Sequence, residues 1–259
     1  MGASGFNGRN PDSGGGEGYY NSASFGPNLV YSPASDTFGV SHSGTPPFSI
    51  GFGPETERAD NANYLVRAFG IPADGDSMFG LQLLKAGAGS SLSALEYVTL
   101  GYLGYYDSIV EEDRRFEFVA GSPTHVNDVP ATGTVTYTVR GFVGHGYSYP
   151  YYALVGPREN LDATIQVDFA ARTVKVTFFA PDTTPPIDRR GFQDFPFEVT
   201  APLVVEDGFV GFQLYQFEPE DYSFRMNGLL YGPDAREIGF GFGGLNGGGS
   251  TIGAFAGRR

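Results

Sequence analysis

The 259-residue sequence contains no cysteine and no tryptophan, and only two of its 16 basic residues are lysines, Lys85 and Lys175. Without cysteine, disulfide bonds, zinc–thiolate sites and a cysteine nucleophile are excluded. No run of about 18 apolar residues occurs, so the sequence predicts no membrane-spanning helix. The formal net charge of −13 would repel a phosphate backbone, which argues against nucleic acid as a partner.

Aromatic residues and glycine are abundant, with 23 Phe, 16 Tyr and 39 Gly. A disordered chain has few aromatic residues, so this composition predicts a folded protein. The exception is residues 1–24, rich in Gly, Ser and Asn, which we predict to be a flexible leader because they lack the apolar residues that offset ordering entropy. Met1–Gly5 contains no apolar core of a signal peptide, so we identify no signal peptide in this chain.

From residue 25 onward, apolar and polar residues alternate between turn signals, which is typical of antiparallel β-structure. In residues 25–127 this pattern predicts a mixed β domain, with one short helix at Asn61–Phe69. After Pro130 we find eight strand-like runs: Thr134–Arg140, Ala163–Phe169, Thr173–Phe179, Phe195–Thr200, Phe209–Gln216, Tyr222–Tyr231, Glu237–Phe242 and Ile252–Ala256.

The predicted fold is therefore mainly all-β. A β domain at 25–127 precedes an eight-stranded antiparallel β-barrel, lipocalin-like in size, at 128–259, and the turn-rich stretch 121–130 joins them. The segment Ala170–Arg172 is predicted to turn a hairpin between two alternating strands. A barrel of about eight strands is either filled by its side chains or holds one small ligand.

Motifs for catalysis are weak. Gly239–Gly244 matches G-x-G-x-x-G, but a loop follows it in place of the helix that dinucleotide binding requires. The acidic clusters Glu111–Asp113 and Glu218–Asp221 resemble turn tips more than the facing carboxylates of a glycosidase. The three histidines, His42, His125 and His145, show no metal-ligand spacing. We predict a protein that is not an enzyme, with glycosidase activity as the weakest alternative.

The segment Phe142–Tyr152 combines one histidine with four tyrosines between glycines, and we predict that it is a loop. Tyrosine supplies a large contact area at low entropic cost, as binding surfaces require. The rings could instead pack on the barrel mouth, and His145 could ligate haem. The candidate partner-binding residues are His145, Tyr147, Tyr149, Tyr151 and Tyr152.

Several segments resemble the transferrin-binding protein B family. The most specific is Gly228–Gly239, which is similar to the family motif G-x-F-Y-G-P-x-A-x-E-x-G; the others are Asp128–Tyr137, Ala163–Phe178, Gly253–Arg259 and Leu95–Leu103. We expect the hallmark residues to shape the barrel rather than bind a partner, and Glu237 to cap or pair inside it. These residues are Pro130, Gly133, Tyr137, Tyr231, Gly232, Pro233 and Glu237.

The resemblance implies a single lobe, a handle domain plus a barrel, from a Gram-negative bacterium, on the outer-membrane surface as a lipoprotein or secreted. It further implies a non-catalytic, monomeric binding protein. The implied partner is a host or environmental protein that carries iron or haem, or haem itself. No resident cofactor is expected, with haem left open. The alternative is a surface antigen for adhesion or for binding glycans or complement factors. The family's partner-contact residues lie in divergent loops, so none is carried over to this chain.

Overall fold

The computed structural model describes residues 2–9, 28–32, 37–42, 45–51, 64–70, 77–84, 95–107, 112–147, 158–178, 198–218, 222–246 and 249–259. In these ranges the chain forms three β-sheets. The first eight strands are β1 (Gly2–Arg9), β2 (Asn28–Ser32), β3 (Thr37–His42), β4 (Thr45–Gly51), β5 (Tyr64–Gly70), β6 (Ser77–Leu84), β7 (Val98–Asp107) and β8 (Glu112–Gly121). The next eight are β9 (Thr134–Tyr147), β10 (Arg158–Asp168), β11 (Thr173–Phe178), β12 (Glu198–Glu206), β13 (Phe209–Glu218), β14 (Tyr222–Tyr231), β15 (Glu237–Asn246) and β16 (Gly249–Arg258).

Strands β9 to β16 close into an antiparallel barrel in which each strand pairs with its neighbours in the sequence. The last strand closes on the first in an unbroken register, from Gly249 opposite Tyr147 to Arg258 opposite Thr138. The predicted eight-stranded barrel is therefore confirmed. The hairpin predicted around Ala170–Arg172 is also confirmed, because β10 and β11 pair antiparallel on its two sides.

The barrel interior is filled by side chains at every second strand position. Alternate residues of β11 and of most of β12 are buried, as expected when one face of a sheet is turned to the core. Aromatic rings pack against one another in this interior: Phe240 stacks on Phe255 with centroids 5.2 Å apart, and Phe178 meets Phe242 edge-on at 5.5 Å. This filling is what a small eight-stranded barrel permits. The largest buried side chains of this core are Tyr137, Phe169, Phe178, Phe212, Phe224, Met226, Phe240, Phe242 and Phe255.

The five-stranded sheet has the order β1-β8-β7-β6-β5. Its edge strand β1 corrects the prediction of a flexible leader at 1–24, because Gly2–Arg9 pairs with β8 from Gly2 opposite Gly121 to Arg9 opposite Arg114. Strand pairing uses backbone N–H and C=O groups, which a Gly- and Ser-rich segment also has. The remainder of the predicted leader lies outside the described residues.

The helix predicted at Asn61–Phe69 is wrong, because residues 64–70 form β5. This strand pairs antiparallel with β6, with Tyr64 opposite Leu84 and Leu65 opposite Leu83. A short apolar run is ambiguous between helix and strand when its periodicity alone is considered. Pairing with a neighbouring strand decides the conformation here.

The three-stranded sheet has the order β2-β3-β4. Strand β2 pairs with β3 from Asn28 opposite Ser41 to Ser32 opposite Thr37. The domain boundaries at 24/25 and 127/128 remain a prediction. In the part of the chain described by the structure, no helix is long and apolar enough to cross a membrane.

The five-stranded sheet packs on the outside of the barrel. A small apolar cluster forms the contact, with side chains from β7, β8, β14 and β16: Val98, Leu100, Val119, Tyr231, Ala254 and Ala256. Gly239 in β15 lies beneath it, and a Cβ there would be 3.0 Å from Val98 Cγ2 and 3.2 Å from Val119 Cβ. The absence of a side chain at Gly239 therefore lets the two sheets approach closely.

Candidate functional site

The up-and-down strand order gives the barrel two ends with different surroundings. One end touches the five-stranded sheet, and we call it the junction end. We call the other end the distal end. The strand registers show which residues face one another along its rim, from β13 to β9. Glu218 lies opposite Tyr222, Tyr222 opposite Asn246, Asn246 opposite Gly249, and Gly249 opposite Tyr147. The connections β9–β10 and β11–β12 begin and finish on the distal side.

The predicted binding residues start at this distal rim. His145 is opposite Thr251, and Tyr147 is the last residue of β9. The prediction that all of Phe142–Tyr152 is a loop is wrong for residues 142–147, which belong to β9 because β16 pairs with them continuously. Tyr149, Tyr151 and Tyr152 lie outside the described residues, so their grouping with His145 remains a prediction.

A second long connection begins at the distal end and was not singled out from the sequence. It covers residues 179–197, between Phe178 at the end of β11 and Glu198 at the start of β12. Connections between antiparallel neighbours usually have two to five residues, and much longer ones are often functional. The sequence offered two signals for this segment: its length, and its content of Arg189, Arg190 and four phenylalanines. Arg and aromatic residues are enriched in interface hot spots.

At the junction end, the Glu237 carboxylate joins the barrel to the five-stranded sheet. Oε1 accepts a hydrogen bond from the Glu96 N–H at 2.8 Å, and Oε2 accepts from Tyr97 and Val98 at 2.8 and 2.9 Å. The side chain is buried. The expectation that Glu237 caps or pairs inside the barrel is wrong, because Ile238 faces the interior and Glu237, one position earlier, faces the covering sheet.

The linker between the two sheets runs along the same end. Its Ser122 N–H donates to the Tyr97 carbonyl at 2.9 Å, and the Ser122 carbonyl accepts from the Gly232 N–H at 3.0 Å. The Thr124 hydroxyl donates to the Gly232 carbonyl at 2.6 Å. Gly232 has a φ of +73°, which favours glycine, and a Cβ there would be 2.5 Å from the Tyr97 ring. Glycine is thus required at this position for two separate reasons.

Tyr137 supplies a further buried polar group at the junction end. Its hydroxyl donates to the Ala235 carbonyl at 2.6 Å. Burial raises the pKa of Tyr137 from 10.0 to about 12, and the positive charge of Arg259 offsets part of the rise. The hydroxyl therefore remains a hydrogen-bond donor throughout the physiological pH range.

The motifs considered for catalysis are distributed among strands. Gly239–Gly244 lies within β15, paired on both sides, so no helix N-terminus follows it to hold a phosphate. Glu112 and Asp113 begin β8, and Glu218 ends β13, while Glu111 and residues 219–221 lie outside the described ranges. Among the described residues there is no group of three or more His, Asp or Glu that could hold a metal ion.

Comparison with known proteins identifies the barrel. A family model described as "C-lobe and N-lobe beta barrels of Tf-binding protein B" matches residues 129–259, which is 131 of the 259 residues. The chain belongs to the transferrin-binding protein B family. A search of curated protein sequences gave no significant match.

Solved structures resemble the chain in fold at low sequence identity. A mutant of transferrin-binding protein B from Haemophilus parasuis Hp5 matches with a TM-score of 0.50 and 16% identity, over 99% of this chain and 45% of that one. The protein from serogroup B Neisseria meningitidis gives 0.45 and 15%, over 99% and 43%. HpuA from Kingella denitrificans, solved in complex with human haemoglobin, gives 0.42 and 12%, over 99% and 86%. The chain spans less than half the length of the first two of these proteins.

The residues that resemble the transferrin-binding protein B motif concentrate at the junction end. Pro233 begins the 3-10 helix Pro233–Ala235, directly after Gly232. Gly133 has a φ of +99°, and its carbonyl accepts from the Phe169 N–H at 3.0 Å. Pro130 is half-buried in the linker before β9. The motif residues thus lie away from the predicted binding segment.

Proposed function

We propose that this chain is a non-catalytic surface protein that captures a host or environmental protein carrying iron or haem. The observation that supports the proposal is the membership of residues 129–259 in the transferrin-binding protein B barrel family. The proposed location is the outer-membrane surface, with lipid anchoring or secretion as the two modes. The proposed state before partner binding is a monomer.

We assign the partner contact to the distal end of the barrel. Two long connections, 148–157 and 179–197, begin there, and the junction end is covered in part by the five-stranded sheet. Loops on a rigid scaffold are a common place for recognition. Tyr147, Tyr149, Tyr151 and Tyr152 would supply the rigid aromatic contact area that protein interfaces favour.

A whole protein is a better candidate partner than a haem held inside the barrel. The inward-facing rings Phe178, Phe240, Phe242 and Phe255 pack against one another within 6.3 Å between centroids. A haem would have to displace this packed core, at the energetic cost of its buried aromatic contacts. If haem binds directly, we expect His145 to ligate it at the distal rim.

The decisive experiment measures binding of immobilised protein to iron-loaded transferrin and to haemoglobin by biolayer interferometry, with serum albumin as the negative control. We expect saturable binding to one carrier, weakened at least about tenfold when Tyr147, Tyr149, Tyr151 and Tyr152 are changed to Ala. Lys175→Ala, on the outer barrel surface, is the matched control and should leave binding unchanged. Absence of binding to both carriers would contradict the proposal.

A parallel titration with haem separates the two partner classes. Absorbance between about 350 and 650 nm reports a Soret shift when a side chain ligates haem iron. A saturable shift near one equivalent that is lost in His145→Ala would show direct haem binding. An unchanged spectrum, together with carrier binding, would assign the partner as a protein.

A further inference from the structure

Glu237 is a buried titratable residue to which the proposed function gives no role. It belongs to β15 of the barrel, yet its carboxylate accepts three hydrogen bonds from consecutive backbone N–H groups, those of Glu96, Tyr97 and Val98. Donors and acceptor are 139 to 141 positions apart in the sequence. Hydrogen bonds to a charged group are shorter and roughly twice as strong as neutral ones.

Among the side chains that the structure describes, the buried apolar part of the same contact consists of Val98, Leu100 and Val119 from the five-stranded sheet, packed on Tyr231, Ala254 and Ala256 of the barrel. Leu95, Tyr97 and Leu229 are partly buried against this cluster. Apolar attraction is non-directional, so it favours contact without selecting one angle between the sheets. Hydrogen bonds have strict distance and angle requirements. Three of them converging on one carboxylate therefore define an orientation that the apolar cluster does not.

The linker reinforces the segment that Glu237 holds. Tyr97 donates its N–H to Glu237, and its carbonyl accepts from the Ser122 N–H at 2.9 Å. Ser122 in turn accepts from the Gly232 N–H at 3.0 Å, and Gly232 belongs to the turn that precedes β15. The backbone of Tyr97 is thus bound on both sides to groups connected through the β14–β15 turn.

We propose that Glu237 is a positioning residue that fastens the five-stranded sheet to the barrel in one orientation and makes the two parts unfold as a single cooperative unit. The inference is independent of the identity of the partner, since it concerns the end of the barrel opposite the predicted binding segment. It also explains why a buried position on the outer face of β15 is occupied by the carboxylate of Glu237 and not by an apolar side chain.

The test uses Glu237→Gln in the full chain. The amide keeps the size of the side chain, but its NH₂ group replaces one acceptor with a donor that faces N–H groups. Residue-resolved hydrogen exchange by NMR should show the Glu96, Tyr97 and Val98 amides exchanging at least about tenfold faster. Barrel-core amides such as those of Val174 and Val176 should retain their protection. Scanning calorimetry should change from one transition to two.

Tyr137→Phe is the matched control, because it also deletes a buried hydrogen bond near the β14–β15 turn but leaves Glu237 intact. In that variant the amides of residues 96–98 should remain as protected as in the parent chain, and unfolding should keep one transition. The proposal is overturned if Glu237→Gln leaves these three amides slow, if barrel amides lose protection together with them, or if a single transition persists.

Discussion

The Tyr137 hydroxyl donates a 2.6 Å hydrogen bond to the Ala235 carbonyl, linking the first barrel strand to the turn between β14 and β15. Both residues are fully buried. Ala235 has a φ of +54°, a conformation that costs a non-glycine residue roughly 1 kcal/mol or more. The hydrogen bond therefore helps to hold a strained backbone in place within the motif of this family.

Tyr137→Phe should destabilise the protein by about 1–3 kcal/mol, because the Ala235 carbonyl would be buried without its donor. Urea unfolding followed by circular dichroism measures this loss. Thr136→Ala, at the neighbouring exposed position of β9, is the control and should change stability by less than about 0.5 kcal/mol. Equal stabilities of Tyr137→Phe and the parent chain would show that this hydrogen bond contributes nothing.

The raised pKa of Tyr137 predicts a loss of stability in alkali. The unfolded chain ionises this hydroxyl near pH 10, whereas the folded protein keeps the proton until pH is about 12. The contribution is therefore complete below the unfolded pKa and is lost as pH rises through the folded pKa, at roughly 1 kcal/mol per pH unit. Since 15 other tyrosines also titrate, the stability difference between the parent chain and Tyr137→Phe is the quantity to follow, and it should shrink above about pH 10. A difference that stays constant would contradict the assignment.

The barrel strands were largely predictable because alternation depends on local sequence. In β11, Val174 and Val176 alternate with Thr173 and Lys175, and the structure buries the valines only. Strand ends were harder: Gly141, Gly144 and Gly146 interrupt the pattern in β9, and only pairing with β16 extends that strand to Tyr147. Glycine carries no hydropathy signal, so the partner strand supplies the information.

The junction could not be predicted from local sequence. No residue near Glu237 in the sequence indicates that its carboxylate accepts a hydrogen bond from the Tyr97 N–H. The two residues are 140 positions apart and meet only when the five-stranded sheet packs on the barrel. The motif resemblance marked Glu237 and Gly232 as special, and their partners came from the three-dimensional structure. The Tyr-rich segment Phe142–Tyr152 is the opposite case. Its composition alone predicts a role in partner binding, and the binding experiment tests that prediction.

Gly228→Ala should destabilise the barrel by about 1–3 kcal/mol through overpacking. A Cβ at this position would be 2.2 Å from Phe212 Cζ and 2.8 Å from Phe240 Cβ, so the Phe212 ring would have to move. In the double variant Gly228→Ala, Phe212→Leu, the smaller leucine side chain makes room for the methyl group. The loss of unfolding free energy in the double variant should therefore be smaller than the sum of the two single losses. Additive effects in denaturant unfolding would contradict the steric explanation.

Phe240 is expected to be the most costly aromatic residue to truncate. Its ring meets Phe255 at 5.2 Å, Phe178 at 6.0 Å and Phe212 at 6.1 Å, so three strands besides β15 pack against it. Phe240→Ala would leave a cavity bordered by rings that cannot all collapse into it, which typically costs about 3–5 kcal/mol. Phe209, which is 36% exposed, provides a control with the same chemical change, and Phe209→Ala should cost well under half as much because little buried surface is lost. Thermal unfolding of the two variants gives the comparison directly. Equal losses would mean that the packed interior does not dominate the stability of the barrel.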